Sequence, residues 1–194
     1  MAHSIGSRVD LAIRLLVAIA VTSVVAPAQA GPIPSDTFLQ FAFTDVGILA
    51  TGCDPADPAG PFCIPSSGTP TTFLDAPPWT FSGPALLTVT DAFESGDQFQ
   101  VFDFGVSLGL TSLPGTASEC GDDPVSCLGN AAMSKGSFAL AAGPHSVTLV
   151  PTLAPSGGGT GYLIATVAEP GTLSLSMLLG FAAFVSGTRK RSRR

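Results

Sequence analysis

Between Gly31 and Val167 the apolar residues recur in short runs that alternate with polar ones, and a turn residue interrupts every run before a helical stripe can form. That pattern most restricts the fold. A helix needs apolar positions three and four apart over several turns, whereas a half-buried strand needs alternation over four to eight residues. Phe38 to Phe43, Trp79 to Phe81, Leu86 to Thr90, Gln98 to Phe104, Val106 to Leu110, Gly136 to Leu140, Ser146 to Leu153 and Gly161 to Val167 all read as strands. Gly105 supplies a tight turn, and Pro155 to Thr160 a Gly-rich loop. The expectation is an all-β fold, an antiparallel, jelly-roll-like β-sandwich of about eight strands. Two long Pro/Gly loops interrupt it, Thr51 to Pro78 and Leu113 to Lys135, the first read as a covering or partly disordered segment.

The four cysteines lie in those loops as two close pairs, Cys53 with Cys63 and Cys120 with Cys127. Four cysteines allow three connectivities, and pairing neighbours is the simplest. No C-x-x-C spacing is present and histidines are scarce, which argues against a zinc site.

Outside this body both ends read as targeting segments. Arg8 and Arg14 flank an apolar run from Leu11 to Val25, and Ala28-Gln29-Ala30 follows as a small-x-small cleavage site. Residues 1–30 are therefore expected to be a secretory signal peptide, a signal helix cut by signal peptidase before Gly31; an uncleaved anchor is the alternative. At the other end Leu173 to Val185 is almost wholly apolar, near the lower limit for a membrane-crossing helix, and Thr188 to Arg194 is basic. Basic residues after such a helix stay in the cytoplasm, so the body should lie outside, as the signal also requires.

Charge sharpens this division. Twelve Asp and Glu lie between Gly31 and Ala168, against Lys135 and His145. Five of the eight Lys and Arg residues, Arg189, Lys190, Arg191, Arg193 and Arg194, close the chain. So acidic a body repels phosphate backbones and excludes nucleic acid as a partner.

Ala168-Glu169-Pro170-Gly171, the helix at about 172–188 and the basic end 189–194 together resemble the PEP-CTERM sorting signal, with Ala168 where that family has its first Pro. The same tail type is also described as an ice-binding protein C-terminal domain, which characterises the tail and not the body. The resemblance implies recognition by an exosortase, cleavage near the motif, and transfer of the body to the envelope or to exopolysaccharide. An ordinary uncut anchor is the alternative. Within residues 31–167, Leu86 to Phe93, Gly96 to Asp103, Gly105 to Ser112 and Ala142 to Leu149 resemble the ectodomains of such proteins, small secreted β-sandwiches without an assigned activity.

Three chemistries are written weakly into the body. Asp91, Glu94, Asp97 and Asp103 surround Gly96 and supply hard oxygen ligands suited to Ca²⁺, though without EF-hand spacing; Asp/Gly runs are also ordinary turns. Trp79 and Tyr162 could stack on sugar rings or be core. Gly105-Val106-Ser107-Leu108-Gly109 matches G-x-S-x-G, with Asp122 and His145 following in hydrolase order. That motif requires a strand, a strained turn and a helix, and no helix follows here; Gly105 and Gly109 read better as hairpin and bulge residues. Asp122 and Asp123 read as loop solvation, and His145 as a structural hydrogen-bonding residue. The expected function is non-enzymatic: an exported, tail-sorted envelope or matrix protein associated with exopolysaccharide. A carbohydrate- or Ca²⁺-binding module is the alternative, and a secreted hydrolase the alternative of another class.

Overall fold

A computed structural model describes residues 32–167. The expected signal peptide at 1–30, sorting motif, transmembrane helix and basic end lie outside the described residues. Among the described residues no helix is long and apolar enough to cross a membrane.

The body is mostly β, as its alternation requires. Among the described residues nine strands are present: β1 (Phe38–Phe43), β2 (Thr71–Phe73), β3 (Trp79–Asp91), β4 (Phe93–Glu94), β5 (Gln98–Asp103), β6 (Val106–Leu110), β7 (Glu119–Gly121), β8 (Lys135–Leu153) and β9 (Gly159–Val167). Seven form one sheet in the order β2-β1-β9-β3-β8-β5-β6, while β4 and β7 make a small ribbon. Two pairs of expected strands are each fused into one. Trp79–Phe81 and Leu86–Thr90 both belong to β3, and Gly136–Leu140 and Ser146–Leu153 to β8. Gly83 and Pro84 do not end β3, because their pairing partner yields with them: the register of β3 against β8 shifts between Gly83 and Ala85.

The sheet is mixed. Every pair of named strands is antiparallel except β1 and β2, which run parallel. Residues 44–70 connect those two strands, ample for the crossover a parallel pair needs. The connection is no loose loop. Ala42 and Thr51 exchange main-chain hydrogen bonds, and Ala50 and Gly47 donate to Leu149 and Pro151 of β8. A hydrogen-bonded circuit thus runs from β1 through β9 and β3 to β8 and back to β1.

Among the described residues the largest of three buried apolar clusters joins β1, β3, β5, β8 and β9. Phe41 and Phe43 of β1 both meet the ring of Phe99 of β5 edge-on, at centroid distances of 5.2 and 5.4 Å. β1 and β5 stand far apart in the sheet order, so these contacts are made across the core and not between neighbouring strands. Trp79, Leu87, Val101, Leu149 and Leu163 belong to the same cluster. The β5–β6 hairpin turns at Phe104 and Gly105, both with positive φ (47° and 76°), the backbone of a tight hairpin turn. Gly109, at φ 133°, lies at the register shift between β5 and β6, so its bulge role holds.

A short helix, α1 (Pro124–Gly129), sits in the second cysteine loop. Its N-cap Asp123 accepts from Val125 and Ser126 N–H, and Pro124 starts it where no N–H is needed.

Candidate functional site

The most built-up region is the end of the body where β3 finishes and β9 begins. Asp91, the last residue of β3, is fully buried. Its Oδ1 accepts from Ala92 N–H at 2.8 Å, and its Oδ2 accepts from Gly96 and Asp97 N–H, both at 3.1 Å. This carboxyl therefore organises the 92–97 loop from within. Three main-chain donors would favour its ionised form, but burial and the neighbouring Asp97 charge outweigh them and push Asp91 up to about 8. Burial likewise pushes Asp97 up to about 6, against its hydrogen bond with Asp91. Two carboxyls this close cannot both ionise cheaply, so the pair holds one proton near neutral pH.

Asp97 lines a cleft of about 300 Å³, with Phe62 and Ile64 from the first cysteine loop, Glu94 from β4, Pro155 from the loop before β9 and Thr160 at the start of β9. Phe62 is 77% exposed. The Thr160 hydroxyl is buried and finds no hydrogen-bond partner in the protein. The cleft thus offers an aromatic face and the carboxyls of Asp97 and Glu94, while Asp91 is buried and does not line it.

Both disulfides brace this end. Cys53 bonds Cys63 and Cys120 bonds Cys127, the simplest connectivity, with Cα separations of 5.6 and 4.8 Å. Inside the first loop the buried Asp57 accepts from Gly52 and Ala59 N–H. The two loops are also stapled to each other. Asp122 accepts from Ser67 N–H and Oγ–H, and Asp123 Oδ1 accepts from Thr69 N–H. The Thr69 bond, with those from Ser126, holds the Asp123 carboxyl well below the usual carboxylate range. Loop solvation is therefore the wrong reading of Asp122 and Asp123: each is committed to chain more than fifty residues away. The tie also holds the Thr51–Pro78 segment in place as a covering loop.

The four acids proposed for Ca²⁺ divide. Asp91 and Asp97 come together, and Glu94 lines the same cleft. Asp103 lies at the other end of the sheet, where its Oδ2 meets His145 Nδ1 at 2.8 Å and its Oδ1 accepts from Ser146 N–H. Among the described residues no three His, Cys, Asp or Glu side chains gather in a way that could hold a metal ion.

Trp79 and Tyr162 are both fully buried and present no face to a sugar. Trp79 Nε1–H donates to Asp75 O, and the Tyr162 hydroxyl donates to Asp122 O at 2.7 Å. Burial, then the Asp122 and Asp123 charges, push that hydroxyl up, so it stays a neutral donor. Ser107, Asp122 and His145 do not converge either. Ser107 Oγ accepts from Gln100, Asp122 holds Ser67, and His145 engages Asp103 and the Ala141 carbonyl with its two ring nitrogens. Burial would lower the His145 pKa, but its Asp103 and Ala141 hydrogen bonds prevail and raise it. The structural role expected for His145 is the one it plays.

Phe62, Ile64 and Thr160 escaped the sequence reading. The available signal was a bulky apolar residue on either side of Cys63, in a loop where a disulfide would hold both at the surface. No family model, no curated protein and no solved structure matches the chain.

Proposed function

We propose that this is an exported, non-enzymatic envelope or matrix protein, a β-sandwich body delivered by a signal peptide and sorted by a PEP-CTERM-like tail. The large buried cluster joining β1, β3, β5, β8 and β9 supports a sandwich whose two layers share the long strands β3 and β8. The observation that carries the reading is the segment order: apolar leader with a small-x-small site, acidic body, Glu169-Pro170, apolar run, five terminal basic residues. The two disulfides add support, since such bonds persist in oxidising compartments. Signal peptidase and an exosortase-type enzyme are the processing partners, the membrane the transient anchor, and exopolysaccharide the destination.

Intact-mass analysis of the protein from its native envelope tests this. The reading expects a start at Gly31 and a C-terminus near Glu169-Pro170. A chain ending at Arg194 would leave a plain anchor, and the Glu169→Ala/Pro170→Ala variant should retain its tail.

The cleft favours a second reading, a carbohydrate- or Ca²⁺-binding module. An exposed aromatic beside a carboxyl suits a hydroxyl-rich ligand. Polysaccharide pull-down with the parent and with Phe62→Ala separates the two readings. Parent retention lost in the variant supports the module, and so does a Ca²⁺-dependent melting shift absent in Asp97→Ala.

A further inference from the structure

The chain enters and leaves the body at one end, and the β5–β6 hairpin turns over at that same end. Pro32 bridges Thr80, and Ile33 N–H donates to Thr80 O at 2.8 Å. Thr80 stands opposite Ser146, and Phe104 N–H donates to Ser146 O at 2.9 Å. Pro32, Thr80, Ser146 and Phe104 thus occupy successive positions across neighbouring strands, which places the hairpin tip roughly 14 Å from the entry point. Val167, the end of β9, pairs with Ala85, just beyond the Gly83–Pro84 irregularity in β3. The cleft lies at the opposite end. Gly161 pairs with Asp91, and the seven residues from Gly161 to Val167 span roughly 20 Å of strand.

The exit end carries apolar groups that nothing in the body covers. Phe104 is 63% exposed and Val106 69%. The left-handed backbone at Phe104 and Gly105 fixes this tip as a tight turn. The ionisable groups beside it are tied up: Asp103 holds His145 and Ser146 N–H, and His145 also meets Ala141 O. Lys135 is at the far end, opposite Thr90. The acidic body offers no attraction to an anionic surface, so the favoured contact is apolar.

Only Ala168 to Thr172 separate Val167 from Leu173, where the apolar run begins. Fully extended, those residues reach at most roughly 17 Å, less than the length of the body's strands. Before the tail is cut, the exit end is therefore leashed close to the bilayer.

We propose that Phe104 and Val106, at the tip of the β5–β6 hairpin, form a lipid-contacting surface that seats the exit end on the membrane and aims the cleft away from it. This rests on the tail being a membrane anchor. Apolar side chains at such a tip enter the headgroup and upper acyl region, as interfacial apolar groups do.

The test uses the full-length chain in phosphatidylcholine vesicles whose acyl chains are brominated near the glycerol end. Phe104→Trp places a reporter at the hairpin tip, Val125→Trp places one on α1 at the cleft end, and the parent supplies the background of buried Trp79. The expected result is quenching of Phe104→Trp at least about twofold stronger than that of Val125→Trp, which should match the parent. Equal quenching in both variants, with the protein still resisting alkaline extraction from the vesicles, overturns the orientation and leaves the anchor intact. Protein that alkaline extraction releases overturns the anchor and this proposal together. A concentration-dependent blue shift of Phe104→Trp without lipid quenching assigns the tip to a second copy of the chain and overturns the lipid contact.

Discussion

The two ends of the body are made from the same long strands and finished in different ways. The exit end is nearly bare: a two-residue turn, a His145–Asp103 pair, and exposed Phe104 and Val106. The cleft end is built up with two disulfides, a short helix, a small ribbon, and carboxylates committed to main-chain donors. The reason lies in the connections. Strand pairs joined by tight turns need no further support, whereas long Pro/Gly connections bury little and must be cross-linked to keep one shape. Investment in fixed loop structure therefore marks the cleft end as the one with a shape to preserve.

The largest expected effect asks whether the ends are separable. Phe99 touches Phe41 and Phe43 in the largest buried cluster, which draws on strands that run through both ends. Phe99→Ala should cost about 4 kcal/mol and lower amide protection at both ends together. Protection lost at one end alone would break the comparison by showing two folding units. Next, replacing Cys53 and Cys63 by Ser should cost about 3 kcal/mol. Hydrogen exchange should then rise in residues 44–73 while the β5–β6 hairpin stays protected.

A smaller effect probes the exit end. Asp103→Ala leaves the buried His145 and Ser146 N–H without their acceptor and should cost about 2 kcal/mol in urea melts at pH 6. The His145 pKa is raised in the fold, so the stability it contributes is complete below its ordinary value of 6.5 and is lost as pH rises through the folded value. The loss in Asp103→Ala should accordingly shrink at alkaline pH.

The smallest effect is a gain at the cleft end. Asp91 and Asp97 have carboxyl pKa values above 3.8, so the fold keeps a proton that the unfolded chain releases. Their contribution to stability therefore falls as pH rises from about 4 to about 8. Asp97→Asn supplies an amide donor to Asp91 and removes the repulsion. Allowing for solvent screening, it should gain on the order of 1 kcal/mol at pH 8 and flatten that slope, read as melting temperature against pH. An unchanged slope would remove the carboxyl pair as its source.

Much of the scaffold was legible in the chain. Alternation located β1, β5, β6 and β9, and Gly105 located the hairpin turn, because strand periodicity and turn chemistry are local. The cysteine pairing was legible because short loops bring neighbours together cheaply. The site was far less legible. Asp91 and Asp97 are near in sequence and did meet, but Asp103 went to His145, forty-two residues away, and Glu94 only lines the cleft. Trp79 and Tyr162 gave no sign of which face they would take, since an aromatic in an alternating run suits either side of a strand.

By itself the sequence determined that the body is β and that its cysteines lie as two close pairs in the connecting loops, and it carries the proposal that both termini serve export and anchoring. Those properties depend on residue type and on neighbours a few positions away. Only the tertiary structure decided that β1 and β5 meet in one large buried cluster, that Asp122 and Asp123 bind the two cysteine loops together, and that a cleft opens at the end opposite the chain's exit. Each of those depends on which distant strands pair and in which register, and register is fixed by the packing of the whole core.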